Sequence, residues 1–409
     1  MCALRFPDGS PARLAPRARI RASLISQGIA MTSVSASQSA AAAAFSTPFS
    51  RRFGLRLPLV QGPMAGGATT PALVAAVSNA GALGFLAGAA LAPEKIASEV
   101  AAIRALTDRP FGVNLFVLDA AHPDDATVQR ALASIDPLRA HYGLPPGEPL
   151  ARYAPDFRAQ LDTLVELRLP LVSFTFGLLA AEDVARLQAA GSYVIGTATH
   201  VAEGLAWRDA GADAIVAQGA EAGGHRGTFI GEAPHALVGT LALVPQLADA
   251  TGLPVLAAGG IMDGRGIAAA LALGAQGVQM GTAFLGCAES AISADWKTRL
   301  RDSSDTATSV TRAITGRHAR GIRNPLMQQL EAQPENVAPY PVQNALTQEL
   351  RQRAARANDG DYLSLWSGQG APLARQREAN LGAAELVDAL DVELRATLRR
   401  FAADELHSA

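Results

Sequence analysis

One histidine, His225, stands inside the run AQGAEAGGHRGTF (Ala217–Phe229), among the glycines Gly219, Gly223, Gly224 and Gly227. An imidazole with its ordinary pKa of about 6.5 accepts or holds a proton near neutrality. Glycine lets a backbone take positive φ and approach a ligand closely. A loop of this composition after an apolar segment reads as a floor for a flat or phosphorylated ligand, with His225 acting on what rests there. Loops that join regular elements carry much of a protein's function. Glu221, four residues earlier, either orients the imidazole or ties down the loop. Arg226 either meets an anion or is a surface charge, and the second reading is preferred. The other histidines have no comparable setting.

A second group of residues suits phosphate. AAGGI (Ala257–Ile261) and GVQMGTAF (Gly277–Phe284) each close an apolar run with glycine. Backbone N–H groups at Gly260, Gly281 and Thr282 would donate to a phosphate, with the Thr282 hydroxyl adding one bond. In GPMAGG, Pro63, Met64 and Ala65 offer backbone groups beside an apolar side chain. Asn114 and Gln218 each carry an amide with donors and an acceptor, although either one alone is as readily a structural hydrogen-bonder. Together with a phosphate loop these groups match the polar edge of an isoalloxazine ring and point to FMN. No GxGxxG strand–helix unit with a distant acidic residue is present, which argues against a dinucleotide. The two cysteines, Cys2 and Cys287, make neither a disulfide framework nor a metal-ligand set.

The elements that must position these residues alternate. Strands are expected at Leu57–Gln61, Leu83–Leu86, Phe111–Val117, Leu171–Phe176, Tyr193–Thr197, Asp213–Ala217, Val255–Ala258 and Gly277–Met280, with helices between. Eight such units predict an α/β fold, a (β/α)8 TIM barrel over 47–289 with an insertion, a possible lid, at about 119–155. Catalytic loops of such a barrel lie at the strands' carboxyl ends, so Gly62–Gly67, Asn114, Thr175, Thr197, Gln218–Arg226, Gly259–Gly260 and Gly281–Thr282 would meet at one mouth. Residues 290–375 read as a smaller, mainly helical capping subdomain, and 376–409 as a carboxyl-terminal helix. Residues 1–46 are rich in Arg, Ser and Ala and resemble a transit peptide in composition; an upstream start codon, with Met31 or nearby as the true start, is the simpler reading. That segment is expected to be disordered.

Composition narrows the partners. A net charge of −2 gives no field for nucleic acid or an anionic membrane, and the apolar runs are short and broken by glycine. A small-molecule enzyme in the reducing cytoplasm is expected, as monomer or homodimer.

LPLVQGPMAGG, GVNLF, SFTFG, QGAEAGGHRGTF, AAGGI-D-RGIAAALALGAQGVQMGTAFL and SLWSGQ together resemble the nitronate monooxygenases, bacterial first class, from about Leu57 to Gly370. The combination is specific, whereas single motifs recur in related barrel flavoenzymes. The resemblance implies non-covalent FMN and His225 in the catalytic position. It implies flavin contacts at Asn114, Gln218, Gly223, Gly260, Gln279, Met280, Gly281 and Thr282, with Gly224 in the same floor. The implied reaction is oxidation of an alkyl nitronate, of the propionate 3-nitronate class, by O2 to a carbonyl compound and nitrite. His318, in TGRHARG, departs from the family pattern, where proline is expected. Three alternatives remain: an NAD(P)H-dependent quinone or enoyl-thioester reductase on the same barrel, a flavin-binding protein without turnover, and a phosphate-sugar barrel enzyme with no flavin.

Overall fold

A computed structural model describes residues 46–405; the expectation of disorder in the amino-terminal segment falls on residues outside these. Strands β1 (Leu59–Gln61), β2 (Gly84–Ala87), β3 (Phe111–Phe116), β4 (Leu171–Thr175), β5 (Tyr193–Ala198) and β6 (Ala214–Gln218) lie parallel. After the short β7 (Gly224–His225) come β8 (Val255–Ala258) and β9 (Gly277–Met280), which complete the set in the order β1-β9-β8-β6-β5-β4-β3-β2. A parallel bridge from Val60 to Leu83 joins the two ends. There Gln61 N–H donates to Leu83 O at 2.8 Å, and the Gln61 Oε1 accepts from Phe85 N–H at 3.1 Å. The eight parallel strands therefore form the expected TIM barrel, with every expected strand within a residue or two of its predicted span.

Each βα unit starts and stops for local reasons. Thr70 and Asp263 cap the helices Pro71–Asn79 and Gly264–Ala272 through their side-chain oxygens, and Pro71 takes the first helical position, where its missing N–H costs nothing. Buried strand residues face two ways. Val60, Phe85, Leu171, Ile195, Val216 and Leu256 fill the barrel interior. Leu59, Val113, Val172, Ile215, Val255 and Val278 pack outward against the helices. Alternation along a strand dictates this division. The helix Pro48–Arg52 stoppers the amino end of the barrel, where Phe53 lies edge-on to Phe49 and Tyr193 at 5.2 Å each.

The helix that should follow β9 is postponed. Ala383–Glu405 packs on Gly264–Ala272 and Pro71–Asn79, the outer position that the eighth barrel helix would take. Close approach there requires Gly264, since a Cβ would lie 2.2 Å from Leu394 N. The intervening chain includes the helices Ala294–Asp302, Pro325–Glu331, Val342–Leu346 and Gln348–Arg356. It also holds strands that the sequence pattern did not reveal, β10 (Thr308–Thr311) and β11 (Ala319–Ile322). These form an antiparallel sheet in the order β10-β11-β7. The insertion helix Asp125–His141 shares an apolar core with this region, Val128, Ile135 and Leu138 packing with Ile314, Leu326 and Met327.

Candidate functional site

β6 ends at Gln218, and the loop that follows runs over the carboxyl end of the barrel. Gln218 clasps that loop with both ends of its amide: Nε2 donates to His225 O at 2.9 Å and Oε1 accepts from Gly227 N–H at 2.8 Å. Glu221 accepts from the Thr240 N–H and hydroxyl at 2.8–3.0 Å, so it ties down the loop and does not orient the histidine. Glu203, fully buried, accepts from Phe229 and Ile230 N–H at 2.5 and 3.0 Å and secures the far end. Arg226 is not a surface charge. It is 1% exposed, and its guanidinium donates to the carbonyls of Gly219, Gln218 and Ala236 at 2.6, 3.0 and 3.3 Å. The signal missed was its place in a glycine-rich loop, where backbone carbonyls turned inward need a multivalent donor.

Pairing of Ala319 with His225 in the antiparallel sheet fixes the histidine backbone. The departure at His318 is accommodated there, its carbonyl accepting from Arg226 N–H at 2.8 Å. The half-buried His225 ring is boxed by Phe176, Tyr340, Trp366 and Phe116, with centroids 5.4, 5.5, 5.6 and 6.1 Å away. Phe176 holds φ at +83°, which a bulky residue rarely adopts. Its ring lies edge to face with the histidine, and the Arg317 guanidinium lies over it, 4.0 Å from the Phe176 centroid. Strain of this kind concentrates at functional sites. None of these aromatics was singled out as a residue in the sequence, although GVNLF, SFTFG and SLWSGQ flagged the segments holding Phe116, Phe176 and Trp366.

The imidazole is neutral. Burial, and then the positive charges of Arg317 and Arg351, push its pKa down to about 3. Its Nε2 lies 2.9 Å from the Thr315 hydroxyl, whose own hydrogen goes to Arg317 O at 3.2 Å. Thr315 is then left to accept, so Nε2 carries the proton and Nδ1 keeps its lone pair, an assignment made from the hydrogen-bond network.

β9 lies between β8 and β1, so the β8 and β9 ends adjoin as expected. Gly62 N–H donates to Met280 O at 2.9 Å, and a Cβ on Gly281 would touch only Met64, at 3.6 Å from its sulfur. Among the described residues, the N–H groups of Gly260, Gly281 and Thr282 have no hydrogen-bond acceptor. The Thr282 oxygen accepts from Gly368 N–H at 3.0 Å, which leaves its hydrogen available. Gly223 abuts the same segment, with Gly368 N 2.5 Å from where a Cβ would stand; Gly224, at φ +74°, faces open space. Asn114 is buried in the strand layer, and its Nδ2 donates to Ser173 Oγ at 2.9 Å, leaving Oδ1 without a donor among the described residues. Met64 N–H donates to the Thr69 hydroxyl at 3.0 Å, while the neighbouring Pro63 and Ala65 are increasingly exposed on the same turn. Gln279 lies beside Gly62, and the Met280 side chain is buried in the outer core, so only its backbone can face the mouth. Orphaned donors, an open glycine floor and a free amide oxygen fit the phosphate and ring edge of a flavin mononucleotide. A cavity of about 300 Å³ lined by Met262, Ala283, Cys287, Lys297 and Leu381 includes none of these residues. Size does not make it the site, because the convergent polar groups lie elsewhere.

The chain and its fold have counterparts among known proteins. A family model described as nitronate monooxygenase matches residues 49–392. A probable nitronate monooxygenase of Staphylococcus aureus is 40% identical over 336 residues, 81% of this chain and 93% of that protein. One from Staphylococcus haemolyticus is 39% identical over 358 residues, 87% and 98% of the two chains. A nitroalkane oxidase from Streptomyces ansochromogenes superposes with a TM-score of 0.79 at 40% identity, covering 86% of this chain and 99% of its own. FabK from Thermotoga maritima superposes with a TM-score of 0.68 at 30% identity, covering 87% and 98%. No helix among the described residues is long and apolar enough to cross a membrane.

Proposed function

The chain belongs to the nitronate monooxygenase family, an oxidoreductase family, and from that premise we propose that it binds FMN at the barrel mouth and oxidises small alkyl nitronates with O2 to a carbonyl compound and nitrite. The observation that carries the reading is a neutral imidazole held by Thr315 inside an aromatic box under the field of two arginines. When bound, the flavin supplies the redox chemistry, accepting electrons from the substrate and passing them to O2.

The chain's own residues position and screen. Gly260, Gly281 and Thr282 hold the phosphate through N–H groups and one hydroxyl. Asn114 Oδ1 and the backbone of Pro63, Met64, Ala65, Gln279 and Met280 line the ring, with Gly223 and Gly224 as its floor. Gln218 serves by keeping the loop closed. Phe116, Phe176, Tyr340 and Trp366 screen the imidazole from water. Arg317 and Arg351 favour an anion there, which a neutral His225 does not. His225 Nδ1 keeps the lone pair that takes the α-carbon proton of a neutral nitroalkane, whereas a nitronate arrives already deprotonated and offers that lone pair no hydrogen.

An anaerobic visible spectrum tests the reading. Nitronate is expected to bleach the flavin and NADH to leave it oxidised. The likeness to FabK favours a reductase as the second reading, and bleaching by NADH alone would establish it. His225→Asn is expected to retain FMN and lose at least about 10²-fold in nitroalkane turnover, the scale of a lost general base. Unchanged turnover removes His225 from the chemistry. A protein that retained FMN but turned over no nitro compound would fit the flavin-binding alternative.

A further inference from the structure

The cavity of about 300 Å³ that lies apart from the flavin residues has polar groups of its own. Helices Thr282–Leu285, Ala294–Asp302 and Ala383–Glu405 and the turn Ala371–Gln376 contribute to it. Met262, Ala283, Leu300, Leu373, Leu381 and Leu386 supply its apolar wall. Ligand pockets begin at about this volume and combine such walls with a few polar groups that fix orientation. Met262 and Ala283 directly follow Ile261 and Thr282, so an occupant packs against residues adjoining the expected phosphate loops.

The charge comes from one face of a helix. Ala294, Lys297, Thr298 and Arg301 all line the cavity, and a spacing of three and four residues puts them on one side of Ala294–Asp302. Among the described residues neither cation forms an ion pair with a carboxylate. The half-buried Lys297 donates from Nζ to Cys287 O at 2.7 Å and to Asn380 Oδ1 at 3.3 Å, which leaves one of three N–H groups unspent. Burial lowers its pKa, opposed by the Cys287 thiol and Glu289. Glu289 spends its carboxylate on Ala383 N–H at 3.0 and 3.1 Å. The Arg301 guanidinium makes one hydrogen bond among the described residues, from Nη1 to Arg377 O at 2.8 Å. Arg377 is itself neutralised by Glu393, its Nη2 donating to Oε2 at 2.8 Å. Like charges four residues apart on a helix repel, so Lys297 and Arg301 want a counter-ion that the chain does not supply. Asp302 and Glu378, also in the lining, are exposed to water.

We propose that this cavity is a second ligand site, separate from the flavin mouth, which takes an aliphatic monocarboxylate: the carboxylate sits between Lys297 Nζ and the Arg301 guanidinium, and the hydrocarbon tail packs among Leu300, Leu373, Leu381 and Leu386. A single negative charge fits, because a second would meet Asp302 and Glu378. An uncharged ligand with the same tail leaves both cations unpartnered. Nothing in this site depends on which reaction the flavin performs.

Calorimetric titration of the FMN-loaded protein with octanoate, octan-1-ol and octanedioate tests the site. Octanoate is expected to bind saturably and at least about 10-fold more tightly than octan-1-ol, the scale of a charge-assisted hydrogen bond. Octanedioate should bind more weakly than octanoate. Lys297→Met keeps the stem and removes the charge; it should weaken octanoate by at least about 10-fold and move octan-1-ol by less than about 3-fold. Ala374→Phe, at another lining residue, fills the space and should abolish binding of both. The wild-type preference for octanoate over octan-1-ol decides the matter even where a variant fails to fold. No saturable octanoate binding, equal affinity for octan-1-ol, tighter binding of octanedioate, or octanoate affinity unchanged in Lys297→Met or Ala374→Phe overturns the site. Unchanged affinity in both variants, joined to competition with a nitronate, would place octanoate at the flavin mouth instead.

Discussion

Lowering the pH should destabilise this protein through His225 in a measurable amount. Its imidazole titrates at about 3 in the folded chain against an ordinary 6.5, with burial the first cause and Arg317 and Arg351 the next. Between those two values the unfolded chain binds a proton that the folded chain does not. Stability is therefore complete above about pH 6.5 and declines as pH falls toward 3, at about 1.4 kcal/mol per pH unit. From pH 7 to pH 5 the histidine accounts for about 2 kcal/mol. Urea denaturation of wild type and His225→Asn at those two pH values isolates the effect, because His318 and every carboxylate titrate in both proteins. The variant is expected to lose about 2 kcal/mol less than wild type over the interval. Equal losses would mean that the imidazole is solvated and titrates normally, and the argument for a neutral proton acceptor would fail.

Two further perturbations address the loop and its contact with Ser367 and Gly368. Arg226→Met removes a buried guanidinium from three carbonyls and is expected to lower stability by about 3 kcal/mol and FMN content with it; a thermal melt and the flavin-to-protein absorbance ratio check this, and an unchanged melt would show that the loop is held by Glu203, Glu221 and Gln218 alone. Gly223→Ala places a Cβ 2.5 Å from both Ser367 C and Gly368 N, which are backbone atoms that cannot swing aside; flavin affinity measured by fluorescence titration should weaken by at least about 10-fold, the scale of an overpacking strain of 1–3 kcal/mol, and unaltered affinity would separate the Gly223–Gly368 contact from the cofactor site.

How legible the molecule was differs between its parts. The barrel strands announce themselves because each is a short apolar run closed by glycine or a polar residue, as in LVQG and VLAAGG, and each is followed by a helix with its own cap or proline start. The expected phosphate loops needed no more than the placing of Gly260 and Gly281 at adjacent strand ends, which parallel order guarantees. The short sheet of β7, β10 and β11 was hidden for the opposite reason. Its strands are two to four residues long and contain Gly, Arg and Thr, and β7 pairs with β11 across more than ninety positions, so no local periodicity marks them.

Order along the chain therefore determined the barrel and the strand ends that form its mouth, because those follow from local periodicity and turn chemistry summed over repeating units. Tertiary packing alone decided that Arg226 is interior, that Glu221 serves the backbone of Thr240, and that Phe116, Phe176, Tyr340 and Trp366 enclose the imidazole. The charge state of His225 belongs to the same class. It depends on desolvation and on cations brought from about ninety and more than one hundred and twenty residues downstream, and both quantities exist only once the chain has folded.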